Sequence, residues 1–89
     1  MREQNAIEEA EIYLKRAIAI DENMPDALVA LGRVYEKKGD VDQAVECYEK
    51  AIKQPVSNIN AYFYLGIIFE KKKDYKKSIQ LFKQCLLFD

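Results

Sequence analysis

Few residues in this chain are suited to chemistry. Cys47 and Cys85 are its only thiols, and histidine is absent. A cysteine nucleophile works as the thiolate, and histidine is the usual neighbour that helps to form it. Two thiols with no histidine and no paired spacing also fall short of a zinc site. Glu8, Glu9 and Glu11 gather three carboxylates near the start, where a terminal helix routinely carries surface charge. No glycine-rich phosphate loop, Walker motif or nucleophile elbow occurs. The expectation is a non-enzyme without metal or cofactor, its cysteines reduced and acting as small apolar residues.

The other chemical candidate is the basic run Lys71-Lys72-Lys73-Asp74-Tyr75-Lys76-Lys77. Such a run invites a nucleic-acid or acidic-membrane reading. Lys37-Lys38 occupies the matching place earlier in the chain, and Glu70 and Asp74 dilute the charge. Lysine is ordinary in a solvated turn, so neither nucleic acid nor membrane is expected as a partner. The net charge is −1, composed of −4 over residues 1–58 (8 Lys/Arg, 12 Asp/Glu) and +3 over residues 59–89 (6 against 3). That asymmetry weakly favours one end meeting the other. No apolar run approaches the roughly 20 residues of a membrane span. From the polar start Met1-Arg2-Glu3-Gln4-Asn5 no secretory signal is expected. A cytoplasmic protein is expected.

The elements that position these residues are all helices. Ile7, Ala10, Leu14, Ala17 and Ile18 recur at helical intervals over about 5–20. Pro25 suits the first turn of a second helix over 25–38, because its missing N–H would be unpaired there anyway. Gly39-Asp40 turns the chain into a third helix over 41–53, stopped by Gln54-Pro55. Ser57 or Asn58 caps a fourth helix that runs to 72, Lys73-Asp74 turns again, and a fifth begins at 75. Short turns between helices of this length imply antiparallel neighbours.

The chain also repeats itself. Ala27-Leu28-Val29-Ala30-Leu31-Gly32-Arg33-Val34-Tyr35-Glu36-Lys37-Lys38 is answered 34 residues later by Ala61-Tyr62-Phe63-Tyr64-Leu65-Gly66-Ile67-Ile68-Phe69-Glu70-Lys71-Lys72. Each stretch is followed by an Asp (Asp40, Asp74), a small residue (Ala44, Ser78), an aromatic (Tyr48, Phe82) and another small residue (Ala51, Cys85). Such an offset marks a helical repeat that buries its apolar face by stacking on its neighbours. A glycine inside a helix costs about 0.8–1 kcal/mol relative to alanine. Gly32 and Gly66 accept that cost in the same register, which predicts close approach of a partner helix, with Ala44 and Ser78 near the crossing.

These residues resemble the tetratricopeptide repeat. Leu28, Leu31, Gly32, Tyr35, Ala44, Tyr48 and Ala51 match its packing positions, with Pro55 one residue early. Tyr62, Leu65, Gly66, Phe69, Ser78, Phe82 and Cys85 match in kind, and Ala10, Leu14 and Ala17 match a second helix alone. The resemblance implies an all-α, right-handed superhelical solenoid of about five helices in antiparallel pairs. Residues 1–24 would be the second helix of a partial repeat, 25–58 a repeat, and 59–89 a repeat lacking a polar capping helix. Leu86, Leu87 and Phe88 are then expected to be partly bare, as in a piece of a longer array or a chain whose ends meet a partner.

The resemblance further implies a protein-interaction scaffold whose first helices line a concave binding face. Val29, Arg33 and Lys37 from one repeat, and Asn60, Phe63, Tyr64, Ile67 and Lys71 from the next, are the candidate peptide-binding residues. Phe63, Tyr64 and Ile67 are apolar without being needed for the packing motif. They either form an interaction patch or lie under an adjoining helix or a symmetry-related copy. The implied ligand is an extended or helical peptide with an apolar anchor and an acidic group near Arg33 or Lys71. Some family members hold acidic chaperone tails with a clamp of Lys, Asn and Arg, whose Lys, Asn and Asn positions fall on three residues of this chain. Val29, Arg33 and Tyr64 stand in those places here, which argues against that ligand. The alternative function is self-association through the repeat ends, giving a homo-oligomer.

Overall fold

The structure, a computed structural model, describes residues 2–55 and 58–87. Among them are five helices and no strand: α1 (Arg2–Ile20), α2 (Pro25–Lys37), α3 (Val41–Ile52), α4 (Ile59–Lys71) and α5 (Tyr75–Leu87). The expected bounds hold within a residue, apart from α1, which starts at Arg2 instead of near residue 5. Ser57, one of the two expected caps of α4, lies outside the described residues. Asn58 does the capping, its Oδ1 accepting from the Asn60 N–H at 2.8 Å.

Helices pack in chain order. The α2–α3 and α4–α5 interfaces are the most extensive, and α1–α2 and α3–α4 contacts join the pairs. Interfaces between sequence neighbours are what a solenoid of stacked helix pairs requires.

The two turns inside the pairs are built alike. After α2, the Gly39 N–H donates to the Glu36 carbonyl and the Asp40 N–H to the Tyr35 carbonyl. After α4, Lys73 and Asp74 make the same bonds to Glu70 and Phe69. This double closure satisfies the last helix carbonyls and needs a left-handed residue between them. Gly39 takes that conformation at φ 83° and Lys73 at φ 67°. Each turn then starts the next helix with its aspartate: Asp40 Oδ1 accepts from the Gln43 N–H, and Asp74 Oδ1 from the Lys77 N–H, both at 3.3 Å.

The core explains the glycines of the two first helices. A Cβ built on Gly32 would lie 2.5 Å from Cε1 of Tyr48, and one on Gly66 would lie 2.7 Å from Cε1 of Phe82. What comes close is therefore an aromatic ring of the returning helix. Ala44 and Ser78, buried one turn before those rings, are not the nearest neighbours of the missing Cβ. The Ser78 hydroxyl is accommodated by donating to the Tyr75 carbonyl at 3.2 Å. Around Tyr48 gather Leu28, Val29, Ala44, Ala51, Ala61, Leu65 and Ile68 as one buried cluster.

Two stability outcomes follow from these geometries. Tyr48 is 0% exposed and has nowhere to move, whereas Phe82 is only part-buried. Gly32→Ala should destabilise by about 1–2 kcal/mol, net of its gain in helix propensity. Gly66→Ala should cost clearly less; urea melts that rank the two equally would contradict this packing. Lys73→Gly should stabilise by about 1 kcal/mol, since a left-handed conformation is strained for any residue with a Cβ. Thermal melting should show that gain as a rise of roughly 4–8 °C.

Candidate functional site

Helix α4 carries apolar residues on nearly every face. Ala61, Leu65 and Ile68 point into the core. Phe63 is 46% exposed, and Tyr64 and Ile67 are half-buried. The Tyr64 ring lies 5.8 Å from Tyr48 and 5.7 Å from Phe63, so it is partly core and partly surface. Phe63 in turn stands 6.1 Å from Phe82 on α5.

Arg33 of α2 completes this group. Its guanidinium sits over the Tyr64 ring, 4.2 Å from the centroid. Arg33 and Lys37 are one turn apart on α2 and both exposed, and no ion pair engages either among the described residues. Glu36, the nearest acid in sequence, accepts the Tyr48 hydroxyl at 2.7 Å. On the far side of Arg33, a groove of about 230 Å³ is lined by Ala6, Ile7, Ala10, Val34, Arg33 and Lys37. A continuous strip thus runs from α1 across α2 to the aromatics of α4 and α5.

The other expected surface residues divide. Asn60 is exposed at the start of α4, where Asn58 donates to Asp26 Oδ1 at 2.5 Å and ties the first turns of α2 and α4 together. Lys71 is not brought to Arg33; it lines a separate groove of about 310 Å³ with Glu36, Val41, Asp42, Ile68 and Lys72. Val29 has to be corrected. It is 7% exposed and belongs to the buried cluster, because the second helix pair closes over that side of α2. Its repeat counterpart is Phe63, which no described helix covers in that way.

Three contributors were not visible as site residues beforehand. Phe82 reads as a packing residue, yet it also flanks Phe63. Ile7 and Val34 read as ordinary helix-face residues, and only the meeting of α1 with α2 makes them a groove wall.

The chemical candidates behave as bystanders. Cys47 is buried, and desolvation pushes its thiol up to about 11. Cys85 is unbonded to it, its thiol also raised by burial, with Sγ donating to the Ile59 carbonyl at 3.8 Å. Glu11 bridges Lys38 at 2.5 Å and Lys15 at 2.7 Å, and hydrogen bonds from these two lysines hold its carboxyl down at about 2. No group of histidine, cysteine or acidic residues among the described residues is arranged to hold a metal. No helix among them is long and apolar enough to cross a membrane.

A family model, tetratricopeptide repeat, matches residues 29–86. The chain belongs to the tetratricopeptide repeat family. Two crystal structures of MamA resemble it over most of its length. One is 36% identical with a TM-score of 0.83, covering 91% of this chain and 47% of that one. The other is also 36% identical, with a TM-score of 0.78 over 90% of this chain and 44% of that one. This tetratricopeptide chain therefore spans about half the length of the MamA structures. No curated protein matches it. As a tetratricopeptide fold of stacked helix pairs, it is a protein–protein interaction module in general character.

Proposed function

We propose that this tetratricopeptide module is a non-catalytic scaffold that binds an extended or helical peptide of a partner protein across its first helices. The observation that carries the reading is the pair Val29 and Phe63. At equivalent repeat positions the first is buried and the second is an aromatic left 46% exposed, flanked by Tyr64, Ile67 and Phe82. Exposed aromatics beside an arginine are the usual makings of a binding hot spot. Asn60 borders the patch. The lysine run between α4 and α5 stays outside this reading, since Lys72 and Lys77 lie over the Phe69 ring at 5.6 and 4.4 Å. Two unbonded thiols agree with a reducing, cytoplasmic-type setting.

The second reading, self-association, has its own observation. Ile79, Leu86 and Leu87 of α5 are 52%, 73% and 75% exposed; Phe88 lies outside the described residues. On the repeat division proposed above, α1 and α5 are both second helices. Stacking copies head to tail would set second helix against second helix, out of step with the alternation inside the chain. Exchange of helices between copies would preserve it.

Two experiments test these readings. Phage-displayed random peptides selected on the immobilised chain should yield binders, and Phe63→Ala should weaken them at least tenfold, by about 1.5–3 kcal/mol for a desolvated aromatic. Phe63 is the cleaner probe, because removing Tyr64 also strips a ring from Tyr48. Unchanged affinity in Phe63→Ala would remove the patch from the binding face. Sedimentation should give one monomer mass from low to high micromolar concentration; mass and helicity that rise together with concentration would favour self-association instead.

A further inference from the structure

We propose that the side of α2 facing α1 is a helix-binding site, which α1 covers within the chain and an amphipathic helix of a partner protein takes in its place. The site adjoins the aromatic patch of α4 but is a separate surface. The inference does not rest on the peptide-binding reading above.

Three observations carry it. The first is how shallowly α1 is held. Over residues 5–20 no side chain is buried; Ile7, Ala10, Leu14, Ala17 and Ile18 are only half-buried. Helices α2, α3 and α4 each bury at least four residues, and the core cluster around Tyr48 contains no residue of α1. The firmest tie across the interface is polar: Lys38 of α2 holds Glu11, which also holds Lys15. An element with so little buried apolar contact opens locally while the rest of the fold persists. Residues 21–24, which link α1 to α2, are exposed, so α1 can swing away without disturbing α2.

The second observation is that the interface is gapped at both ends. Near the start of α1, Ala6, Ile7 and Ala10 leave a groove of about 230 Å³ against Val34. Past its end, Ile18 and Glu22 border another of about 350 Å³ with Leu28 of α2 and Lys50 and Gln54 of α3. Unfilled space beside Val34 and Leu28 forfeits dispersion contacts that a fuller side chain would make. Leucine in the places of Ala6 and Ala10 would reach into the first groove. A helix with larger apolar residues there fits this site better than α1 does.

The third is the internal repeat, which shows what such a site accepts. Helix α3 stands to α4 as α1 stands to α2, and it puts Val45, Tyr48 and Ile52 into the core packing. At the same repeat positions α1 has Glu11, Leu14 and Ile18, so a polar residue and a smaller one replace two core residues. A second copy of this chain is the poorer occupant. Its α5 carries Ile79 and Lys83 at the repeat positions of Glu11 and Lys15, has Lys76 and Lys77 besides, and contains no acid. Lys38 would lose its carboxylate and gain like charge, which disfavours that pairing. A partner helix with apolar residues on successive turns of one face, and without those lysines, meets neither objection.

The probe is a fluorescein-labelled synthetic peptide of residues 5–22 carrying Ala6→Leu and Ala10→Leu, titrated into the full chain by fluorescence anisotropy. In the wild type the tethered α1 competes with it, so binding should be weak, and weaker still for the unsubstituted peptide. Glu11→Gln with Ile18→Ala, both on α1 and outside the site, loosens the competitor. That double variant should bind the probe about tenfold more tightly, because apparent affinity scales with the open fraction. Hydrogen exchange is the second readout. Without probe, the amides of α1 should exchange about tenfold faster than those of α3. With probe bound, α1 should lose its remaining protection while α2 to α5 keep theirs. Phe63→Ala should leave probe binding unchanged; a loss there would put the probe on the α4 patch and overturn the proposal. Equal exchange of α1 and α3, equal affinity of wild type and double variant, or bound probe with α1 still protected would each overturn it too. If the double variant fails to fold, exchange in the wild type with and without probe decides. Should the double variant's mass rise with concentration, the uncovered site belongs to a second copy and the partner helix is ruled out.

Discussion

The ring of Tyr48 lying on the bare backbone of Gly32 is the contact on which the first helix pair depends. A side chain at residue 32 would hold α3 away from α2 and open the core around Leu28, Ala44 and Ala51. Full burial of a tyrosine also requires a partner for its hydroxyl, and Glu36, one turn beyond Gly32, supplies it at 2.7 Å. The same ring faces Tyr64 of the next pair. One side chain thus closes the α2–α3 pair, satisfies its own polar atom and makes the bed on which α4 lies.

Repetition of sequence does not give repetition of environment. Tyr48 is fully buried and its counterpart Phe82 only partly; Ala51 is buried and Cys85 half-exposed; Val29 is covered and Phe63 is not. In every pair the earlier residue has a helix pair stacked after it. The exposure of apolar residues in the second repeat comes from this inequality. Residues of core type, Phe63 among them, stand at its surface.

Polar residues follow a similar logic. Asp40 and Asp74 cap helices, Glu11 and Glu36 are tied to neighbours, and the Lys72 and Lys77 side chains rest on Phe69. Much of the charge therefore serves the fold. Arg33 likewise lies over an aromatic ring, that of Tyr64, a contact that orients a cation without neutralising it.

Helix boundaries, the two glycine registers and the family were legible in the chain itself, because periodicity, turn residues and a regular offset are local properties. The left-handed Lys73 was not, since the turn's hydrogen bonds impose that conformation on a residue that does not favour it. Nor was the burial of Val29, whose repeat neighbours look like those of Phe63 and whose fate depends on a helix pair that arrives later in the chain. The strip from Ile7 through Arg33 to Phe82 is likewise tertiary. It joins residues from four helices, and the stacking of one pair on the next decides which side chains meet. Local sequence selects the helices and their packing faces; the neighbours that each face meets decide which of its residues are buried and which stay exposed.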